Sequence, residues 1–444
     1  MIYVIKKDGT REEFNAQKIV AAVNKSAARI LYTFSQQEKD FICQFAQEHA
    51  ESLGKNEIEI QEMHNIVEGA LERVNPAVAK SYRDYRNYKL DFIHMMDDVY
   101  TKSQAIRYIG DKSNANTDSA LVATKRSLIF NELNKELYRK FFMNRNELQA
   151  CKDGYIYIHD QSARLDTMNC CLFDVASVLK GGFEMGNVWY NEPKTLDTAF
   201  DVMGDIILST AAQQYGGFTV PEVDKILGPY AQKSYDKYIR EFMKYSDESW
   251  NGREERAVVY ALDKVRRDFD QGWQGIEYKL NTVGSSRGDY PFVTVTLGLG
   301  TQQFEKMCTV SLLQVHQGGQ GRVGHKKPVL FPKIVFLYDE NIHGEGKCCE
   351  DVFEAGVECS SKTMYPDWLS MSGEGYISSM YKKYGKVISP MGCRAFLSPW
   401  YERGGMEPAD ENDVPVFVGR FNVGAVSLHL PMIYAKSKAE SRDF

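Results

Sequence analysis

The sequence predicts an α/β protein in two parts, a small and mostly helical amino-terminal module followed by a larger domain of alternating strands and helices. Three observations predict it. Apolar residues recur at helical spacing in the first 95 positions, as at Ile19, Val23 and Ala27. A polar, turn-prone stretch around Gly110-Asp111-Lys112-Ser113-Asn114 interrupts that pattern. Beyond it, short runs rich in β-branched and aromatic residues alternate with long helical patterns, an order that places helices outside a parallel or barrel-like sheet.

The module opens on a hairpin candidate, Tyr3-Val4-Ile5 and Glu13-Phe14 flanking the turn signal Asp8-Gly9. Asn15 is placed to cap the next helix, and further helices are predicted over 36–53, 59–74 and 76–96. The module is assigned to residues 1–95, a linker to 96–118 and the larger domain to 119–444. In that domain strands are predicted over 155–158, 290–297, 329–337 and 423–430, and helices over 194–214 and 350–363.

With 444 residues, 43% hydrophobic and 26% charged, the chain can bury a sizeable core. A net charge of −6 and a pI near 5.9 give no basic face for a nucleic-acid backbone, so no such partner is expected. Apolar runs such as Val329-Leu330-Phe331 fall far short of the roughly 20 residues that span a bilayer. The opening MIYVIKKDG lacks the apolar core of a signal peptide, and the expectation is a cytoplasmic protein. The nine cysteines form no C-x₂-C pair, so reduced thiols are expected, most of them small core residues. The vicinal pairs Cys170-Cys171 and Cys348-Cys349 leave room for catalytic thiols.

Two stretches carry chemistry. Lys6 and Lys7 precede a glycine turn and Lys18 follows in the first turn of a helix, a cluster that can neutralise a polyphosphate. Read alone, the same turn is more often a solvated hairpin. Ser389-Pro390-Met391-Gly392-Cys393-Arg394 sets a cysteine after a Pro-x-Gly turn signal, where a loop-tip thiol and an inert buried cysteine are both open.

The run from Val4 to Ile19, with Tyr82-Arg83-Asp84-Tyr85-Arg86 as closing helix, resembles the ATP-cone, an allosteric module at the start of many ribonucleotide reductases. The resemblance implies an effector site lined by Val4, Lys6, Lys7, Glu12, Asn15, Lys18 and His64. Its lysines would hold phosphates, Glu12 and Asn15 would lie nearer the sugar and base, and ATP would permit activity that dATP suppresses. Pro390-Met391-Gly392-Cys393-Arg394, then Gly419-Arg420-Phe421-Asn422-Val423-Gly424 and Leu428-His429-Leu430-Pro431, resembles the finger loop and next strand of anaerobic, glycyl-radical ribonucleotide reductases. Asn169-Cys170-Cys171-Leu172-Phe173-Asp174 matches that family's Asn-Cys-x-Leu-x-Asp pattern on Cys170. The resemblance extends through Asn114-Ala115-Asn116, His159-Asp160, Gln214-Tyr215-Gly216-Gly217, Tyr290-Pro291-Phe292, Phe331-Pro332-Lys333 and Tyr365-Pro366-Asp367. Taken singly, His159-Asp160 is equally a turn and Gly216-Gly217 a helix stop.

What the resemblance implies is specific. Cys393 becomes the thiyl site that removes the 3′-hydrogen of a ribonucleotide, and Cys170 the thiol near the leaving 2′-hydroxyl. Neighbouring strand residues face opposite ways, so only one of Cys170 and Cys171 can face a cavity; the pattern favours Cys170 and the reverse stays open. Asn422 takes the pocket position where a neutral amide holds a small anion, which points to formate as reductant. Asn114, Asn116, His159, Met391 and Gly392 are weaker pocket candidates. About eight extra residues near Gly404 to Val414 predict a longer surface loop. The implied fold is most of a ten-stranded α/β barrel in two antiparallel halves, and the implied partners are a ribonucleotide substrate, di- or triphosphate being open, a radical-SAM activating protein and a second copy of the chain. A zinc site and a glycyl-radical loop would lie beyond Phe444, none of the metal ligands being in this chain. The expectation is a piece cut off ahead of them, inactive alone and exposing apolar sheet edges. The rival readings are another glycyl-radical enzyme and a non-catalytic nucleotide-binding regulator.

Overall fold

The computed structural model describes residues 2–6, 9–108, 118, 120–164, 168–282 and 288–443. The chain divides into two compact units, Met1–Thr101 and Lys102–Phe444.

In the first unit β1 (Tyr3–Ile5) pairs antiparallel with β2 (Arg11–Glu13), in the predicted hairpin. Helices α1 (Ala16–Ala28) and α2 (Gln36–Ser52) follow. Asn15 caps α1 by accepting the Gln17 N–H at 2.9 Å, and Ser35 and Glu38 form a reciprocal capping box on α2. A strand the sequence pattern did not announce, β3 (Glu57–Glu59), runs parallel to β1 on its other side. Helices α3 (Ile60–Val74) and α4 (Pro76–Tyr108) complete the unit's chain order, and Ile19, Val23, Ile42, Ile58, Val67 and Leu71 fill one core. Arg83 on α4 pairs with Glu68 and Glu72 of α3, and Arg86 with Glu68, which explains the charged closing helix.

Residues 96–108, assigned above to a linker, instead continue α4. Between Pro76, at the position where a helix tolerates proline, and Gly110 no glycine or proline stops the helix. The polar run 109–117 lies outside the described residues.

The second unit begins with α5 (Val122–Phe141) and α6 (Arg145–Lys152), then β4 (Ile156–Ile158) and β5 (Cys171–Leu172). After α7 (Val175–Leu179) and the hairpin β6 (Phe183–Met185) and β7 (Val188–Tyr190) come α8 (Leu196–Ala211), β8 (Phe218–Val220), α9 (Val223–Tyr245) and α10 (Arg253–Leu280). Next are β9 (Val293–Leu297), α11 (Gln303–Gly318), β10 (Lys333–Tyr338), α12 (Glu340–His343), α13 (Glu350–Thr363), β11 (Asp367–Ser370) and α14 (Tyr376–Tyr384). The chain closes with β12 (Arg420–Phe421), β13 (Val426–Leu428) and α15 (Leu430–Ala439).

Six strands form the central sheet in the order β11-β10-β9-β8-β5-β12. The first five are parallel, as the strand–helix alternation requires, and β12 runs antiparallel on β5. Among the described residues this sheet stays open, five parallel strands plus one of opposite direction, which is consistent with part of the barrel implied by the resemblance and does not close it. β13 pairs separately with β4. The predicted strand over 423–430 is shorter than expected, because Pro431 starts α15. Phe421, Val426 and Leu428 on these last strands are exposed, an apolar edge. The strands β8, β9 and β10 are buried throughout their middles, under a core that joins Phe269 and Trp273 of α10 to Phe218, Val293 and Phe336.

Candidate active site

The geometry starts from Cys170, one residue ahead of β5. Its N–H donates to the side-chain Oδ1 of Asn422 at 2.8 Å, its carbonyl accepts the Asn422 N–H at 2.9 Å, and its Sγ accepts the Gly217 N–H at 3.2 Å. The thiol is thus held from both neighbouring strands. Cys171 faces the other way, as strand alternation demands: its thiol donates to Gln214 Oε1 at 2.9 Å inside the main core. Burial, with no charge to offset it, pushes the Cys171 thiol up to about 12.

Cys393 arrives from the opposite side on a tight loop. Arg394 N–H returns to the Met391 carbonyl at 2.7 Å and Met391 N–H to that of Ala395 at 2.9 Å, which leaves Gly392 and Cys393 at the tip. Arg394 sits at φ +65°, a left-handed conformation that costs a non-glycine residue about 1–3 kcal/mol unless neighbours hold it. Here they do. Its guanidinium donates to Asp367 on β11 at 2.6 and 2.5 Å and to Thr294 on β9 at 3.4 Å. That contact gives the Tyr365-Pro366-Asp367 motif a physical role.

Glycines let the loop approach. A Cβ on Gly217 would lie 2.9 Å from the Gly392 Cα, and one on Gly392 would lie 2.5 Å from the Phe292 ring. A Cβ on Gly216 would meet Asn169 Oδ1 at 2.1 Å and Cys170 Sγ at 2.6 Å. The Gly216-Gly217 pair is therefore required by close packing around the thiol and is more than a helix stop.

Cys170 and Cys393 line one cavity of about 550 Å³, with Asn422, His159, Gly216 and Phe292 in its walls. The size falls in the usual range for small-molecule sites. The two thiols interact directly. A hydrogen bond from Cys170, together with the backbone N–H groups of Ala395 and Cys393 and the charge of Arg394, pulls Cys393 below the ordinary thiol value against the cost of burial. The same contact with Cys393, and then burial, push Cys170 above it. The pair therefore gives up its first proton from Cys393 and keeps the second on Cys170.

The other predicted residues divide. His159 lies in the wall, its Nε2 2.8 Å from Ser427 Oγ and its N–H on the Ala425 carbonyl. Met391, taken as a pocket residue, is buried with Cys170 and Leu172 beneath the wall, because it forms the inner base of the loop turn. Gly392 supplies close approach only. Asn114 and Asn116 lie outside the described residues, as does Lys7 of the effector cluster. The loop near 404–414 does not displace Asn422, which keeps its ladder bonds to Cys170 and accepts the Asn169 N–H at 2.9 Å.

Sequence reading missed one wall entirely. Thr124, Ser127, Leu128 and Asn131 of α5 line the cavity at i, i+3, i+4 and i+7, a single helix face. That polar stripe was the available signal. The Tyr215 hydroxyl accepts from Asn131 Nδ2 at 3.4 Å and from Ser162 Oγ at 3.1 Å, which seats Tyr215 in the same wall.

In the amino-terminal unit, Val4 stands opposite Glu12 in the β1–β2 register, and Glu12 ion-pairs with both Lys6 and Lys18. Asn15 commits its side-chain oxygen to the α1 cap. His64 on α3 hydrogen-bonds the Tyr82 hydroxyl at 2.7 Å. Two ammonium groups against one carboxylate leave this cluster one net positive charge. Among the described residues no group of three or more His, Cys, Asp or Glu side chains is placed to hold a metal ion, and no helix is long and apolar enough to cross a membrane.

Comparison with known families and proteins agrees with this geometry. Residues 113–444 match the family described as anaerobic ribonucleoside-triphosphate reductase, and residues 2–91 the ATP cone domain. The anaerobic ribonucleoside-triphosphate reductase of Haemophilus influenzae is 33% identical over 98% of this chain and 59% of its own length. That of Escherichia coli is 30% identical over 100% and 60%. The chain thus spans about three fifths of the length of these relatives. A crystal structure of the anaerobic ribonucleotide reductase from Thermotoga maritima in complex with dATP and CTP aligns at a TM-score of 0.45 and 14% identity, covering 79% of this chain and 57% of that one. With the family match covering all of the cavity and both of its thiols, the chain belongs to the anaerobic ribonucleoside-triphosphate reductase family.

Proposed function

We propose that this chain carries the substrate cavity and the working thiols of an enzyme that reduces ribonucleoside triphosphates under anaerobic conditions. The observation that carries the reading is the convergence of Cys170, Cys393 and Asn422 on one cavity within the matched region. A glycyl radical, installed by a radical-SAM protein on a segment of the longer enzyme, would supply the unpaired electron. The rest is work for residues of this chain. Cys393 takes the 3′-hydrogen of the ribose, which turns the 2′-hydroxyl into a feasible leaving group. Cys170, whose thiol holds its proton tightly, assists departure of the 2′-oxygen as water. Asn422 has spent its Oδ1 on Cys170, so its amide NH₂ is the donor left for a small anion. Formate fits there: it gives two electrons and leaves as carbon dioxide while the 2′-carbon gains hydrogen.

The amino-terminal unit is read as the effector site, with Lys6 and Lys18 exchanging Glu12 for the phosphates of ATP or dATP. A homodimer is part of the same proposal.

Thiol protection tests the reading. Under anaerobic conditions, a ribonucleoside triphosphate at ten times its Kd should slow iodoacetamide alkylation of both Cys170 and Cys393 about tenfold, since only the free fraction reacts. Equal alkylation with and without the nucleotide would sink the substrate assignment.

A further inference from the structure

The second vicinal pair, Cys348-Cys349, plays no part in the cavity. It lies beyond the carboxyl end of β9, beside the Gly298–Gly300 turn, whereas Phe292 and the cavity lie ahead of the amino end of that strand. We propose that Cys348 and Cys349 form a dithiol modification site that hydroperoxides oxidise to a vicinal disulfide. The inference does not depend on the proposed reductase activity.

Geometry carries it. Both are free thiols, and their sulfurs stand 3.8 Å apart. A disulfide bond is about 2.05 Å long, so closure needs roughly 1.7 Å of approach, and the peptide between the two residues must adjust because adjacent Cα atoms, about 3.8 Å apart, lie closer than in an ordinary disulfide. The two thiols differ in exposure: Cys348 is exposed and Cys349 is completely buried. An oxidant in solution therefore meets Cys348 first, and Cys349 is positioned only to resolve what forms there.

The surroundings favour that division. The segment is a compact turn between α12 and α13, closed by Lys347 N–H on the Gly344 carbonyl at 3.0 Å and Cys349 N–H on that of Ile342 at 2.8 Å. Cys349 occupies the N-cap position of α13, where Ser, Thr, Asp or Asn would normally accept a backbone N–H, yet its side chain caps nothing. Its sulfur lies 3.8 Å from the Gly300 carbonyl and 3.8 Å from the Cys348 sulfur, at the edge of the main core. Lys306 sets its ammonium 2.6 Å from the Cys348 carbonyl and 2.7 Å from Asp351, which ties the turn to α11 and to the start of α13.

The step balances. The Cys348 thiolate attacks the hydroperoxide, its sulfur gains an oxygen, and an alcohol (water, for hydrogen peroxide) leaves. The Cys349 sulfur then attacks the sulfenic acid, forms the S–S bond and expels water. Two thiols are oxidised by two electrons, and one hydroperoxide is reduced.

The test uses the full chain, reduced and degassed, treated with hydrogen peroxide, blocked with N-ethylmaleimide, digested and weighed peptide by peptide. The expected product is the peptide carrying both residues, about 2 Da lighter and unlabelled at either position. In Cys349→Ser the ring should not form, and dimedone should trap a sulfenic acid at Cys348. In Cys348→Ser, an exposed change, Cys349 should stay reduced. The proposal is overturned if both thiols keep their maleimide while other cysteines oxidise. It is equally overturned if Cys348 links to a second chain, or if the lost hydrogens join Cys349 to Cys359.

Discussion

The lysine cluster of the amino-terminal unit and the thiol cavity of the larger unit are held by opposite means. In the cavity, position comes from backbone: Cys170 is fixed through its N–H, carbonyl and sulfur, and Cys393 through a turn that glycines allow to touch the sheet. In the cluster, position comes from exposed side-chain pairs that share one carboxylate. Backbone anchoring suits a site where two sulfurs must stay in register through a reaction, and exchangeable ion pairs suit a site that must let a charged ligand in and out. The first should resist surface changes and fail under small internal ones. The second should behave in reverse.

The largest effect should come from Gly216→Ala, whose methyl group has no room beside Asn169 and Cys170. Denaturant unfolding of the chain should show a loss of about 1–3 kcal/mol, the usual cost of overpacking. An unchanged midpoint would mean that the wall yields, and the contrast drawn above would fail.

Cys170→Ala should then move the pH midpoint of Cys393 alkylation upward. The Cys170 hydrogen bond is the largest cause holding Cys393 low, and without it the thiolate is less stabilised. Arg394→Gln should move the midpoint the same way by less, since Arg394 contributes through charge alone. A downward shift in either variant would invert the assignment of which thiol ionises first.

Cys171→Ala separates packing from chemistry. It removes one buried hydrogen bond, to Gln214, and should cost about 1 kcal/mol in unfolding while leaving the Cys393 midpoint in place. If the midpoint moved with Cys171 and not with Cys170, the faces of β5 would be wrongly assigned.

The smallest effect on stability should be that of Lys6→Gln with Lys18→Gln, below about 1 kcal/mol, because exposed ion pairs contribute little. The same double variant should weaken ATP binding about tenfold, or 1.4 kcal/mol, by titration calorimetry. Undiminished affinity would remove these lysines from the effector site.

These contrasts follow how much of each region could be read from residues. The hairpin, the Asn15 cap and the opposite faces of Cys170 and Cys171 were legible, since each depends on neighbours within a few positions. The convergence of Cys170, Cys393 and Asn422 was legible only through resemblance, as more than 200 residues separate the first from the others. Three features escaped. β3 has a single apolar residue, Ile58, too few for a period-two signal. The run of α4 past residue 95 lacks any breaker, so its polarity was mistaken for a linker. The polar stripe of α5 reads as an ordinary solvated face until the sheet turns it inward.

The loop between the thiol turn and Asn422 closes on itself. Tyr401 bridges to Gly405 and Pro415, and the buried Asp413 gathers the N–H groups of Arg403, Gly404 and Ala409. Its entry and exit are thereby cinched together ahead of β12, with the Val416 N–H on the Trp400 carbonyl at 2.7 Å. Glu411, exposed at that tip, is accordingly a place to attach a fluorophore or a surface tether beyond the cinched neck of the loop.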